Sequence, residues 1–301
     1  MKLDRRHFLG LAAASLCVPH HASAKNTILR KQIPSSGEWI PAIGMGSWLT
    51  FDVGGDQSLR TQRTKVLQAF FDAGGRLIDS SPMYGSSQSV IGHALEKIQN
   101  DDDLFAADKV WTRNGNGGPG QIRTTTTRWG IDKFDLLQVH NLVNWQAHLE
   151  TLFAMKEAGR LRYVGVTSYA GIRYAEIEKI MQSHPIDFIQ ITYNLVDREA
   201  ENRLLPLAKE KGIAVIANRP FREGQLINSV QQRKLPKLAA EIDANNWAQF
   251  LLKFIISHPA ITVAIPATRR VDHMRENMGA LSGRSPDAAL RRRMIAAVDD
   301  L

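Results

Sequence analysis

Eight short apolar runs punctuate the chain: 42–48 (AIGMGSW), 76–81 (RLIDSS), 109–112 (KVWT), 134–140 (FDLLQVH), 162–168 (RYVGVTS), 187–194 (DFIQITYN), 214–220 (AVIANRP) and 262–268 (TVAIPAT). Several are nearly continuous hydrophobics, the pattern of strands buried on both faces of a parallel sheet. Between them lie longer amphipathic stretches. Leu149, Leu152, Phe153 and Met155 recur at helical spacing and stop at Gly159, and Trp247, Phe250, Leu251, Phe254 and Ile255 repeat the pattern. The weakest helix lies between the third and fourth runs. There four consecutive threonines at 124–127 are poor helix formers, although Gln121 and Arg123 are compatible with one. Eight strands alternating with helices predict an α/β fold, a (β/α)₈ TIM barrel. An open doubly wound sheet is the alternative, but no GxGxxG opens a helix after any run. Upstream, the segment 27–44 reads as two short strands around Ser35-Ser36-Gly37, a β-hairpin able to cap the barrel floor.

The first residues follow a different logic. Arg5 and Arg6 precede an apolar run, Leu9 to Val18, too short to span a bilayer, which takes roughly 20 residues. Ala22-Ser23-Ala24 then supplies the small residues of a signal-peptidase site. This order predicts a twin-arginine signal peptide over 1–24, cleaved after Ala24, with the twin-arginine translocation machinery as partner and the periplasm as destination. The barrel then occupies 25–301 as one domain. Cys17 is the only cysteine, so the mature chain would hold no disulfide, thiolate metal site or cysteine nucleophile. The twin-arginine route carries folded proteins, which suits a cofactor inserted before export. Net charge is +8 for the whole chain. The basic residues are scattered and no aromatic-rich basic segment accompanies them, so neither nucleic acid nor a membrane span in the mature chain is expected. A bias toward a phosphorylated ligand remains. His93, His148, His184 and His258 show no metal-ligand spacing, and no metal is expected.

Catalytic groups of such barrels sit at the C-terminal ends of strands. Asp79 lies near the end of the second run and Tyr84 in the loop after it; Lys109 opens the third and His140 closes the fourth. Each alone reads equally well as a cap, a core aromatic, a surface charge or a satisfied core histidine. Together they put an acid, a phenol, an amine and an imidazole on three neighbouring strands. An ammonium near a phenol favours the phenolate and lowers its pKa from about 10.

With these residues in view, the chain resembles the aldo-keto reductases. The stretches "GMGSW", "IDSSPMYG", "LFAADKV", "LLQVHN", "GRLRYVGVTS", "IQITYNLVDR" and "IPATRRVDHMRENMGA" carry the likeness across nearly the whole mature chain, in order. The resemblance implies NADPH-dependent reduction of a small-molecule aldehyde or ketone. Its catalytic tetrad maps onto Asp79, Tyr84, Lys109 and His140, with Tyr84 as general acid. Cofactor contacts would fall on Gly46, Ser47 and Trp48, on Thr167, Ser168 and Gln190 for the carboxamide, and on Asn218 and Arg219. Thr268, Arg269, Arg270, Glu276 and Asn277 would hold the adenosine end, with Thr268 opening a short helix. Three positions depart from the family pattern: Ser168 replaces an asparagine, Asn218 an aromatic that stacks on the nicotinamide, and His273 an arginine found in many relatives. Trp48 and Trp111 are candidates for walling an apolar substrate pocket. A cofactor-sensing or regulatory subunit with little turnover is the alternative reading.

Overall fold

The computed structural model describes residues 28–98, 100–101 and 103–299. The expected signal segment 1–24 and its cleavage site lie outside the described residues. Two strands, β1 (Arg30–Gln32) and β2 (Trp39–Pro41), pair antiparallel as the predicted hairpin. The barrel strands follow: β3 (Met45–Gly46), β4 (Leu77–Asp79), β5 (Phe105–Val110), β6 (Leu136–Val139), β7 (Tyr163–Thr167), β8 (Phe188–Thr192), β9 (Ala214–Asn218) and β10 (Val263–Ala264). Every neighbouring pair from β3 to β10 is parallel. Parallel bridges Ile43–Ala264 and Gly46–Ala267 close the ring. That closure is tight: a Cβ on Gly46 would lie 2.8 Å from the Ile265 carbonyl oxygen, so only glycine fits.

Helices α1 (Gln57–Asp72), α2 (Ser87–Leu95), α3 (Gly118–Trp129), α4 (Trp145–Glu157), α5 (Tyr174–Ser183), α6 (Leu204–Lys211), α7 (Gln225–Val230), α8 (Trp247–Ile256), α9 (Val271–Gly279) and α10 (Ala288–Asp299) accompany the strands. The threonine-rich segment is helical throughout. Pro119 lies in the first turn of α3, Gly130 ends it in the left-handed conformation, and the hydroxyls of Thr124, Thr126 and Thr127 donate to carbonyls four residues back. Such back-bonding does not strengthen a helix; threonine's low propensity is offset by burial of Ile122, Thr125 and Trp129.

Strand alternation builds the site. One face of each strand joins the large core under the helices, through Ile78, Ala106, Leu137, Val164, Ile189 and Val215. The other face fills the barrel, where Leu77, Phe105, Leu136, Tyr163, Phe188 and Ile216 pack with Ile33 and Ile40 of the hairpin. Residues two positions further along these same strands are polar and buried: Asp79, Gln138, Gln190 and Asn218 follow Leu77, Leu136, Phe188 and Ile216, with Asn218 only partly covered. Each inward row is therefore apolar at the floor and polar at the mouth.

Candidate active site

Lys109 sits on the next-to-last residue of β5, not at its start. The strand begins at Phe105, four residues before the run read from the sequence, because buried Asp108 interrupts the apolar pattern. The correction moves Lys109 to the C-terminal end of the strand, at the mouth of the barrel. Its Nζ donates to Asp79 Oδ2 at 2.6 Å and to the Ser80 carbonyl at 2.8 Å, with both side chains of the ion pair buried. Asp79 Oδ1 accepts from Gln190 Nε2 at 2.9 Å and from Gln138 Nε2 at 3.4 Å. Lys109 Nζ is 5.2 Å from the centre of the Tyr84 ring, and the His140 ring meets Tyr84 edge-on at 5.6 Å. The four residues proposed from sequence are thus assembled at one place.

Their electrostatics follow from burial. Desolvation opposes the Lys109 ammonium, but Asp79, Tyr84 and Asp108 outweigh it and its pKa is raised. Burial pushes the Tyr84 phenol up to about 12, although Lys109 pulls it down. The expected lowering by lysine is present, yet in the ligand-free protein desolvation wins. Burial and then Lys109 hold His140 well below its ordinary value, so the ring is neutral. Ser81 Oγ lies 2.8 Å from His140 Nδ1 and already accepts the Met83 amide at 3.2 Å. With its proton directed at Nδ1, Ser81 would favour the tautomer that carries the ring hydrogen on Nε2.

A cavity of about 680 Å³ opens over this group. It is lined by Asp79, Tyr84 and His140, and by Gly46, Ser47, Trp48, Thr167, Gln190, Asn218, Arg219, Thr268, Arg269, Arg270, Glu276 and Asn277. Ser168 is the exception among the expected cofactor residues. It does not line the cavity; its hydroxyl donates to the Ile172 carbonyl and its own carbonyl accepts Asn218 Nδ2 at 2.9 Å. Asn218 Oδ1 accepts from Thr192 at 2.7 Å, so this residue braces the ends of β7, β8 and β9 where an aromatic was expected to stack. Trp48 lines the cavity, whereas Trp111 does not and is exposed.

The lining suits a nicotinamide dinucleotide. Gln190 spends its amide N–H on Asp79, and its carbonyl oxygen has no hydrogen-bond partner among the described residues. That oxygen is able to accept from a carboxamide. At the other end α9 begins at Val271, three residues beyond Thr268, whose hydroxyl accepts the Arg270 amide at 3.2 Å. Arg270 is tied to Asp272 at 2.9 Å. Arg269 has no ion pair among the described residues and opposes a second guanidinium, Arg63 of α1. Arg63 is buried, donates Nε to the Thr50 carbonyl at 2.5 Å, and has its pKa lowered by burial and by Arg269. Nothing in the pattern around position 63 marks it out in the sequence. Among the described residues no cluster of three His, Cys, Asp or Glu side chains is placed to hold a metal ion, and no helix is long and apolar enough to cross a membrane.

Sequence reasoning also missed Asp108. It points away from Lys109, toward the helices, and accepts from Trp129 Nε1 at 2.7 Å, from Gln88 Nε2 at 3.1 Å and from the Lys109 amide at 2.7 Å. Burial pushes its carboxyl up to about 7.

Comparison with known proteins bears on the family and the fold. The profile of the Aldo/keto reductase family matches residues 42–292. The chain is 29% identical over 267 residues to the methylglyoxal reductase YeaE of Escherichia coli (strain K12), covering 84% of this chain and 89% of that protein. It is 24% identical over 323 residues to the NADH-specific methylglyoxal reductase of the same organism, covering 86% and 96%. Among solved structures, the thermostable aldo-keto reductase Tm1743 in complex with the inhibitor epalrestat superposes with a TM-score of 0.75 at 26% identity, covering 89% of this chain and 99% of that one. An aldo-keto reductase from Klebsiella pneumoniae in complex with NADPH has the same fold, with a TM-score of 0.73 at 23% identity and coverage of 90% and 95%.

Proposed function

Since the chain belongs to the aldo/keto reductase family, we propose that it is an exported, NADPH-dependent carbonyl reductase in which Tyr84 is the general acid. The observation that carries this reading is the buried Asp79–Lys109 pair beside Tyr84 and His140 at the floor of the cavity. An ion pair so buried is costly to desolvate and is a weak source of stability. Its use is to keep a fixed positive charge next to a phenol.

When bound, the cofactor supplies a hydride to the carbonyl carbon. The electron pair of the C=O π bond then moves to oxygen, and the chain's own residues manage that charge. His140 donates Nε2–H to the oxygen and orients it. Tyr84 gives up its phenolic proton to the same oxygen, forming the alcohol. The phenolate left behind is stabilised by the Lys109 ammonium until solvent returns the proton. A positioned acid contributes on the order of 10²–10⁴-fold, and preorganised donors to the developing oxyanion add to it. A phenol near 12 stays protonated at neutral pH and is still far more acidic than an alcohol.

NADPH is favoured over NADH by Arg269, which has no ion pair among the described residues, with Arg63 behind it, at the adenosine end of the cavity. Export is supported by the Arg5-Arg6 motif and the Ala22-Ser23-Ala24 site. The test uses protein recovered from the periplasm, with Lys25 expected as its first residue. It should oxidise NADPH with methylglyoxal and bind NADPH at least ten-fold more tightly than NADH. Equal affinities would remove the 2′-phosphate assignment. Tight cofactor binding without turnover would replace the reductase with a cofactor sensor.

A further inference from the structure

Asp79, Lys109 and His140 stand on or directly after strands of the barrel, but Tyr84 does not. It lies in the loop between β4 and α2, five residues beyond Asp79. A reacting group must be held within about 0.5 Å of its productive place, so something outside the sheet has to fix this loop. Its local bonds shape the turn: the Tyr84 amide donates to the Ser81 carbonyl at 3.0 Å and the Ser87 amide to the Tyr84 carbonyl at 3.0 Å.

The far side of the turn, Gly85 and Ser86, is tied to the loop after β3. Asp52 Oδ1 accepts the Ser86 amide at 2.9 Å and the Ser86 hydroxyl at 2.8 Å, and that hydroxyl accepts the Gly54 amide at 2.8 Å. Ser86 immediately precedes α2, yet its hydroxyl makes no capping bond to that helix and is spent on the other loop. Gly85 makes the approach possible. It is held at φ 57°, and a Cβ on it would lie 2.3 Å from Asp52 Oδ2. Any side chain there would push the carboxylate off Ser86. Bonding to the Ser86 amide and then to its hydroxyl holds the Asp52 carboxyl below its ordinary value, so the clasp is a charge-assisted one at neutral pH.

The loop that carries Asp52 is itself anchored. Phe51 is buried, Ser47 Oγ donates to the Asp79 carbonyl at 2.9 Å, Arg63 Nε to the Thr50 carbonyl at 2.5 Å and Arg60 Nε to the Gly54 carbonyl at 2.8 Å. The same loop sets the Trp48 ring 6.4 Å from the Tyr84 ring.

We propose that Asp52 is a positioning residue for the reaction: by clasping the Gly85–Ser86 turn it fixes the Tyr84 phenol relative to Lys109 and His140. Asp52 does not line the cavity, so it acts only through Tyr84. This deepens the reductase reading and rests on Tyr84 as its acid.

The test measures the single-turnover rate of NADPH oxidation by methylglyoxal, together with the dissociation constant of NADPH. It compares wild type, Asp52→Ala, Asp52→Asn, Tyr84→Phe and the combined Asp52→Ala/Tyr84→Phe variant. Asp52→Ala should slow the single turnover about ten-fold with NADPH affinity unchanged, since a displacement of about 1 Å can cost up to about 10²-fold. Asp52→Asn keeps the acceptor oxygen and should recover most of that loss. In the Tyr84→Phe background Asp52→Ala should cost nothing further. A wild-type rate in Asp52→Ala, or a loss of the same size in the Tyr84→Phe background, would overturn this inference and leave the reductase intact. A matching loss of NADPH affinity and melting temperature would make Asp52 a restraint on the fold at large and also overturn it. No turnover of methylglyoxal or benzaldehyde by the wild type would remove the reductase reading and this inference with it.

Discussion

At the scale of single residues, the site depends on which buried group keeps its charge. Asp79 and Lys109 are held as a pair, while Asp108, back to back with Lys109 on the same strand, has only neutral donors around it: Trp129, Gln88 and the Lys109 amide. Its carboxyl is raised to about 7 in the folded chain, against about 3.9 when unfolded. The folded state therefore binds more protons than the unfolded state across that interval, and this group's contribution to stability falls as pH rises from about 4 to about 7. Asp108→Asn should remove that fall. Compared with wild type, its melting temperature should decline less, or not at all, between pH 4.5 and 7.5. A parallel decline in the two proteins would show that Asp108 ionises normally. Asp79, Tyr84, Lys109 and His140 were legible in the sequence because polar side chains at the ends of apolar runs are conspicuous. Asp108 was not, since a lone acid inside such a run reads as its boundary. Ser81 and Gln138 were hidden for another reason: their partners, His140 and Asp79, are each 59 residues away in the chain.

At the scale of elements, the helices matter through how closely they approach the strands that carry these groups. Helix α2 supplies Gln88 and α3 supplies Trp129 to Asp108, so their packing supports β5 from outside. Gly92 of α2 sets that distance: a Cβ there would lie 2.1 Å from the Arg128 carbonyl oxygen of α3. Backbone cannot yield as a flexible side chain does, so Gly92→Ala should force the helices apart. The expected cost is about 1–3 kcal/mol, read as a midpoint shift in urea unfolding at unchanged slope. An unshifted midpoint would show that α2 and α3 slide freely. Element types were mostly readable from period and stop signals, as with α4 ending just before Gly159 and α8 carrying the 247–255 stripe. Helix α3 was the weakest reading because propensity is local, whereas the burial of Ile122, Thr125 and Trp129 that holds this helix is tertiary. Helix α9 starts later than expected because Thr268 forms a turn of its own with the Arg270 amide.

For the whole molecule, the barrel separates stability from chemistry along its axis. The floor is closed by the hairpin and filled by Phe105, Tyr163 and Phe188, with ring centres 5.5–6.2 Å apart. The mouth carries the ion pair and the cavity. The repeating order of strands and helices was visible in the sequence because each strand of a parallel barrel is buried on both faces and reads as a short apolar run. Closure of the ring was read only indirectly, from the count of eight runs and the lack of a GxGxxG; the contacts that make it, two isolated bridges and the room left by Gly46, were not visible.

The account stands on Lys109 acting through Tyr84. The measurement that tests it most directly is a double-mutant cycle on kcat/KM for NADPH-dependent methylglyoxal reduction, using Tyr84→Phe, Lys109→Met and the two combined. Residues that work as one unit lose activity once, not twice. The prediction is that Tyr84→Phe costs on the order of 10²–10⁴-fold while NADPH still binds, and that adding Lys109→Met costs little more. Losses that multiply in the double variant, or a Tyr84→Phe protein with wild-type turnover, would contradict it.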